Sequence, residues 1–91
     1  MGIRVSKHAS LRMQQRGVSE AFVLKILNNA NVERPANDNC RLYRITPDLA
    51  SALGDDRLGR YVVIWGDDTG EVVTVAPIYR GRAGAKYRKR Y

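Results

Sequence analysis

YVVIWGDDTGEVVTVAPIY, residues 61–79, is the stretch that decides the fold. Tyr61 to Trp65 and Glu71 to Tyr79 are rich in β-branched and aromatic residues, and the turn residues GDDTG (Gly66 to Gly70) separate them. The whole segment therefore reads as a β-hairpin. Proline has no N–H to donate to a ladder, so Pro77 belongs at an edge, a bulge or the strand's end. Upstream of the hairpin, Cys40 to Ile45 (CRLYRI) reads as a further strand with basic residues on both faces, preceded by a turn at Pro35 to Asn39 (PANDN). Thr46, Pro47 and Asp48 look like a helix start and Gly54 like its end, so LASAL is a short helical turn inserted before the hairpin.

The N-terminal third has a different period. Ser6 is a good N-cap for a helix over residues 7–16, and Gly17 stands where a left-handed residue closes a helix. Ser19 caps a second helix. Val18 and Val23 have the spacing of a hydrophobic staple, and Phe22, Ile26, Leu27 and Ala30 form its expected buried stripe. Asn28, Asn29 and Asn31 end it. Gly2 to Val5 is expected as a short first strand. The order of elements predicts an α+β fold: two N-terminal helices packed on a three- to four-stranded antiparallel sheet. Residues 1–79 form a single domain and residues 80–91 a basic C-terminal tail.

With 91 residues the chain is one domain. Its single cysteine, Cys40, has no partner for an internal disulfide, and one Cys with one His cannot supply a four-ligand zinc site, so neither metal nor cofactor is expected. No apolar run approaches the ~20 residues that span a bilayer, and MGIRVSKHAS lacks the apolar stretch of a secretion signal. These features set the expectation of a cytoplasmic protein with no membrane partner.

Charge is the strongest compositional fact. The net charge is +7, and it is segregated. Residues 1–16 carry Arg4, Lys7, Arg12 and Arg16 and no acid; residues 80–91 carry Arg80, Arg82, Lys86, Arg88, Lys89 and Arg90 and no acid. Between them nine acids face six bases, a net of −3. Two basic ends rich in arginine, whose planar fork suits phosphate, favour a polyanionic partner, most simply nucleic acid. The plainer alternatives are charge that keeps a small protein soluble and a tail that is simply solvated. Tyr79, Tyr87 and Tyr91 interleave the basic tail and offer rings on which unpaired bases stack.

On a helical wheel at ~100° per residue, His8, Arg12 and Arg16 fall within an arc of about 80°, flanked by Leu11 on one side and by Ala9 and Met13 on the other. If those flanks face the sheet, the stripe lies at the contact between helix and sheet. It would then need partners: carboxylates such as Asp67, Asp68 or Glu71, or the phosphates of a ligand. Asp55, Asp56, Asp67 and Asp68 otherwise read as turn residues.

The pattern H-A-x-x-R-M-x-x-R-G-V-S, carried by His8, Ala9, Arg12, Met13, Arg16, Gly17, Val18 and Ser19, resembles the opening of a family of small bacterial domains, domain of unknown function 4258. VVTV (Val72 to Val75) resembles that family's close. The layout is also similar to the RelE-like toxins, small basic ribonucleases that cut messenger RNA, often on the ribosome, and are neutralised by an antitoxin. This second resemblance implies RNA and a protein antitoxin as partners and metal-independent cleavage. Such enzymes use Lys and Arg on the central strands and an Arg and a Tyr near the C-terminus, with a His in some relatives. Arg80 or Arg82 and Tyr87 or Tyr91 match the C-terminal half of that pattern. No lysine lies between Lys25 and Lys86, so Arg41, Arg44, Arg57 or Arg60 would stand in on the strands.

Cleavage without metal needs a base for the 2′-hydroxyl, cations for the phosphorane and an acid for the leaving oxygen. The expected catalytic set is His8 for proton transfer, Arg12 and Arg80 on the phosphate, and Tyr87 as orienter or acid. Arg16, Arg41, Arg44, Arg60, Arg82, Lys86, Arg88, Lys89 and Arg90 would bind the strand. The alternative is a non-enzymatic nucleic-acid-binding regulator, or a phage-type inhibitor occupying a partner's nucleic-acid groove. GRAGAK (Gly81 to Lys86) lacks the spacing and the Ser or Thr of a phosphate loop, which excludes a nucleotidase.

Overall fold

A computed structural model of the chain describes residues 3–78. Helix α1 (Lys7–Arg16) and helix α2 (Glu20–Asn29) are followed by strands β1 (Val32–Ala36) and β2 (Cys40–Arg44). A short helix α3 (Pro47–Ala52) and a 3₁₀ helix (Asp56–Arg60) lead into strands β3 (Tyr61–Gly66) and β4 (Glu71–Pro77). The four strands form one antiparallel sheet in the order β1-β2-β3-β4, and the fold is α+β.

The helix ends follow from local chemistry. The Ser6 hydroxyl accepts the Ala9 N–H at 3.1 Å and donates to the Val73 carbonyl at 3.1 Å, so the residue that caps α1 also fastens it to β4. Gly17 closes α1 at φ 64°, where a Cβ would be strained, and Val18 N–H returns to the Met13 carbonyl at 2.9 Å. Ser19 accepts the Phe22 N–H at 3.1 Å, and Val18 and Val23 are both buried, as a staple requires. Past α2, Asn31 does more than break a helix. Its side chain donates to the Thr46 hydroxyl and accepts the Thr46 N–H, each at 2.9 Å, tying the end of α2 to the cap of α3.

Four expectations change. Gly2 to Val5 does not make a strand within the described residues. Val5 makes one parallel bridge to Val72, because Ser6 begins capping α1 at once and no residues remain to extend the pairing. Pro35 belongs to β1 and not to a turn; β1 is an edge strand, where a missing N–H costs no ladder bond, and the turn is confined to residues 37–39 with Asp38 and Asn39 at positive φ. β4 ends at Pro77 rather than Tyr79. In α2 the buried residues are Val23 and Ile26, whereas Phe22, Leu27 and Ala30 are half-buried; Phe22 and Leu27 sit about 70° to either side of the buried direction at ~100° per residue.

The core is the layer between helices and sheet. Ala9, Met13, Val18, Val23 and Ile26 meet Ile45, Val63, Val72 and Val75, with Ala50 and Leu58 from α3 and the 3₁₀ helix closing one end. The unbroken apolar run of β3 reflects burial on both faces: Val63 belongs to this layer, and Val62, equally buried, lies on the other side with Leu42. A bulge at Val73 interrupts the β3–β4 register beside Trp65, at the point where Ser6 bonds to β4.

Because Ser6 serves two bonds, Ser6→Ala should lower stability by about 1–2 kcal/mol. Urea unfolding with an unchanged slope would register the loss. A shift within error would mean that backbone pairing at Val72 alone anchors α1.

Candidate nucleic-acid interface

Helix α1 presents the basic row, and its docking decides what the row meets. Ala9 and Met13 bury against the sheet, while Leu11 is 55% exposed. Only one of the two apolar flanks therefore faces the sheet. This corrects the expectation that the whole stripe lies at the contact: the row fans outward from Arg16, half-buried beside Ala9 and Met13, to Arg12 and His8, both exposed. The Arg16 Nε is buried without a hydrogen-bond partner among the described residues.

The carboxylates expected to answer the row are engaged elsewhere or unpaired with it. Asp67 pairs with Arg41 at 3.3 Å, and Asp68 accepts from the Asn39 amide at 2.9 Å. Among the described residues no carboxylate pairs with His8, Arg12 or Arg16; Arg12 reaches only Gln15, at 3.5 Å. Asp55 accepts the Arg57 N–H at 3.1 Å and caps the 3₁₀ helix.

Arg57 extends the row. Sequence reasoning considered it only as a stand-in cation, yet its Nη2 donates to the carbonyls of Arg16 (3.3 Å) and Gly17 (3.0 Å), satisfying the C-terminal end of α1 and complementing its negative dipole. Its Cζ lies 5.0 Å from the centroid of Phe22 and 5.6 Å from that of Tyr61, and those two rings meet edge to face at 5.6 Å. No spacing rule links residues 41 apart, so the sequence carries no signal for this contact.

The other expected residues divide by position. Ile78 N–H donates to the Arg60 carbonyl at 2.7 Å, so the chain leaves the sheet beside Arg60, at the Arg57 end of α1. Arg80 and Tyr87, with Arg82, Lys86, Arg88, Lys89 and Arg90, lie outside the described residues. Arg41 is exposed but already balances Glu33 at 2.9 Å as well as Asp67, so binding a phosphate there would compete with two carboxylates. Arg44 falls with Leu42 and Val62 on the sheet face away from the helices and is not brought to the α1 row. His8 and Arg16 are separated by eight residues at about 1.5 Å each, or about 12 Å along the axis, so His8 stands at the opposite end of α1 from the chain's exit.

Among the described residues no group of three or more His, Cys, Asp or Glu could hold a metal ion, and no helix is long and apolar enough to cross a membrane.

A sequence model of the family described as Domain of unknown function (DUF4258) matches residues 5–80, which include the α1 row and all four strands. The chain belongs to this family. No curated protein and no solved structure gives a significant match. In this DUF4258 domain the matched segment begins at Val5, whose bridge to Val72 starts the docking of α1 on β4.

Exposed positions away from the core tolerate substitution, so His8→Ala and Arg12→Gln should each change stability by no more than about 0.5 kcal/mol. A larger loss in urea unfolding would show that the row is structural.

Tyr43, opposite Glu33 in the β1–β2 ladder, gives a pH signature. Burial, then the Glu33 charge, raises its phenol above 10.0; Arg41 partly offsets this and Asp67 adds to it. A raised acid favours its neutral form in the fold, so the stabilisation is complete below the unfolded value and disappears as pH climbs through the folded one. As pH rises above 10.0, wild-type stability should fall more steeply than that of Tyr43→Phe. Parallel curves would refute the assignment.

Proposed function

We propose that this domain binds RNA along α1 and cleaves it without metal, as the toxin of a toxin–antitoxin pair, in keeping with its resemblance to the RelE-like toxins. The observation that supports this most is the row of Arg12, Arg16 and Arg57, with His8 at its far end, none of them paired with a carboxylate among the described residues. It leads toward Arg60, whose carbonyl accepts the N–H of Ile78, the last described residue. An unpaired basic row repels itself and is stabilised by a polyanion, whose successive phosphates pair with successive cations along its ~12 Å length.

In the proposed reaction a base takes the 2′-hydroxyl proton and the 2′ oxygen attacks phosphorus. The bond to the 5′ oxygen breaks, leaving a 2′,3′-cyclic phosphate and a protonated 5′-hydroxyl. Histidine exchanges protons near neutral pH, which suits His8 to one of the two transfers. Arg12 would neutralise the phosphorane, with Arg80 assisting and Tyr87 orienting or donating. An antitoxin would act by covering the same cations.

The second reading is a nucleic-acid-binding module without catalysis. It draws on the ~12 Å along α1 between His8 and Arg16, which sets the proton-transfer group apart from the Arg57 end of the row.

Inducing wild type and His8→Ala in bacteria without a cognate antitoxin, then mapping RNA 5′ ends, separates the readings. New 5′-hydroxyl ends that vanish in a folded His8→Ala protein are expected. The absence of new ends with wild type would favour the binding module. For binding itself, Arg12→Gln should reduce the magnitude of the salt slope on single-stranded RNA by about 0.7, the share of one phosphate; an unchanged slope would remove Arg12 from the contact.

A further inference from the structure

Arg57 is held on one side and open on the other. Its Nη2 is fixed by the Arg16 and Gly17 carbonyls, its guanidinium carbon lies over the Phe22 and Tyr61 rings, and the residue as a whole is exposed. A guanidinium backed by aromatic rings is a delocalised plane whose outer face accepts a second flat π system. Nucleobases stack on such planes when they are unpaired and splayed from their neighbours.

We propose that Arg57 is the stacking platform for one unpaired nucleobase. The inference rests on the RNA-binding reading and sharpens it: the ligand is a single strand, and a paired duplex cannot offer the base. Two features carry it. The clamp by two carbonyls fixes the plane before any ligand arrives, so little side-chain freedom is lost on stacking. The platform lies at the end of α1 where the chain leaves the sheet, so a strand following the row from His8 reaches Arg57 last.

The alternative role for Arg57 is purely structural, closing α1 and joining it to the aromatic pair. The two roles differ in one respect: only a platform distinguishes a base from its absence. The test measures binding of the full chain to a short single-stranded RNA, to an abasic strand with the same number of phosphates, and to a paired duplex, across a salt series. Wild type should prefer the base-bearing strand over the abasic one by about 5- to 150-fold, the range of a single base stack, with equal salt slopes. Arg57→Lys keeps the charge and a donor for the helix end but has no planar face, and should bind both strands with nearly the abasic affinity. Phe22→Leu leaves Arg57 in place without its backing ring and should shrink the preference in part, which gives a second reading should Arg57→Lys unfold.

A preference for the base-bearing strand that persists undiminished in Arg57→Lys would overturn the platform by placing the stack elsewhere. Equal binding of both strands by wild type would overturn it too, while leaving phosphate binding by the row intact. Failure of wild type to bind any of the three would reject the RNA reading itself.

Discussion

The placement of α1 along β4 is the constraint on which the rest of this structure depends. Ala9 and Met13 give the helix an apolar contact only two residues wide, too narrow to orient it alone, and the ends complete the job. At one end Ser6 bonds both to its own helix and to β4; at the other, Arg57 takes up the last free carbonyls. A helix pinned at both termini keeps its rotation about its own axis. That rotation decides which side chains of the row face solvent, and so what the domain can hold.

Charge is distributed by the same logic. Arg41 sits among acids near the turns of the sheet, bridging Glu33 and Asp67, whose two negative charges outweigh its one positive charge. The cations of α1 have no such company, since Asp67 and Asp68 are engaged across the turns by Arg41 and Asn39. A chain that is +7 overall is therefore not basic everywhere. Most of that charge lies in residues 80–91, which hold six bases and no acid, and among the described residues Arg12, Arg16 and Arg57 stand without a carboxylate partner.

Much of the architecture was legible residue by residue. Ser6, Ser19 and Thr46 act as caps, Gly17 closes α1, and the hairpin from Tyr61 turns through GDDTG as its composition implies, because each of these signals is local and involves residues a few positions apart. β1 was obscured because Pro35 argues against a strand, and only the knowledge that β1 is an edge removes the objection. The 3₁₀ helix was hidden for a similar reason: Asp55 and Asp56 look the same in a turn as in the cap of a short helix.

The sequence by itself determined the class of fold, the helix boundaries, the pairing of β3 with β4 and the presence of a basic row on α1, since all of these follow from periodicity, caps and turns. Only the tertiary structure decided which flank of that row is buried. Leu11 and Met13 are both apolar, yet Met13 is buried with Ala9 while Leu11 is left 55% exposed. It likewise decided that Arg57 ends at the terminus of α1 and above Phe22 and Tyr61. Contacts across forty residues of chain are set by how layers pack, and no local pattern encodes them.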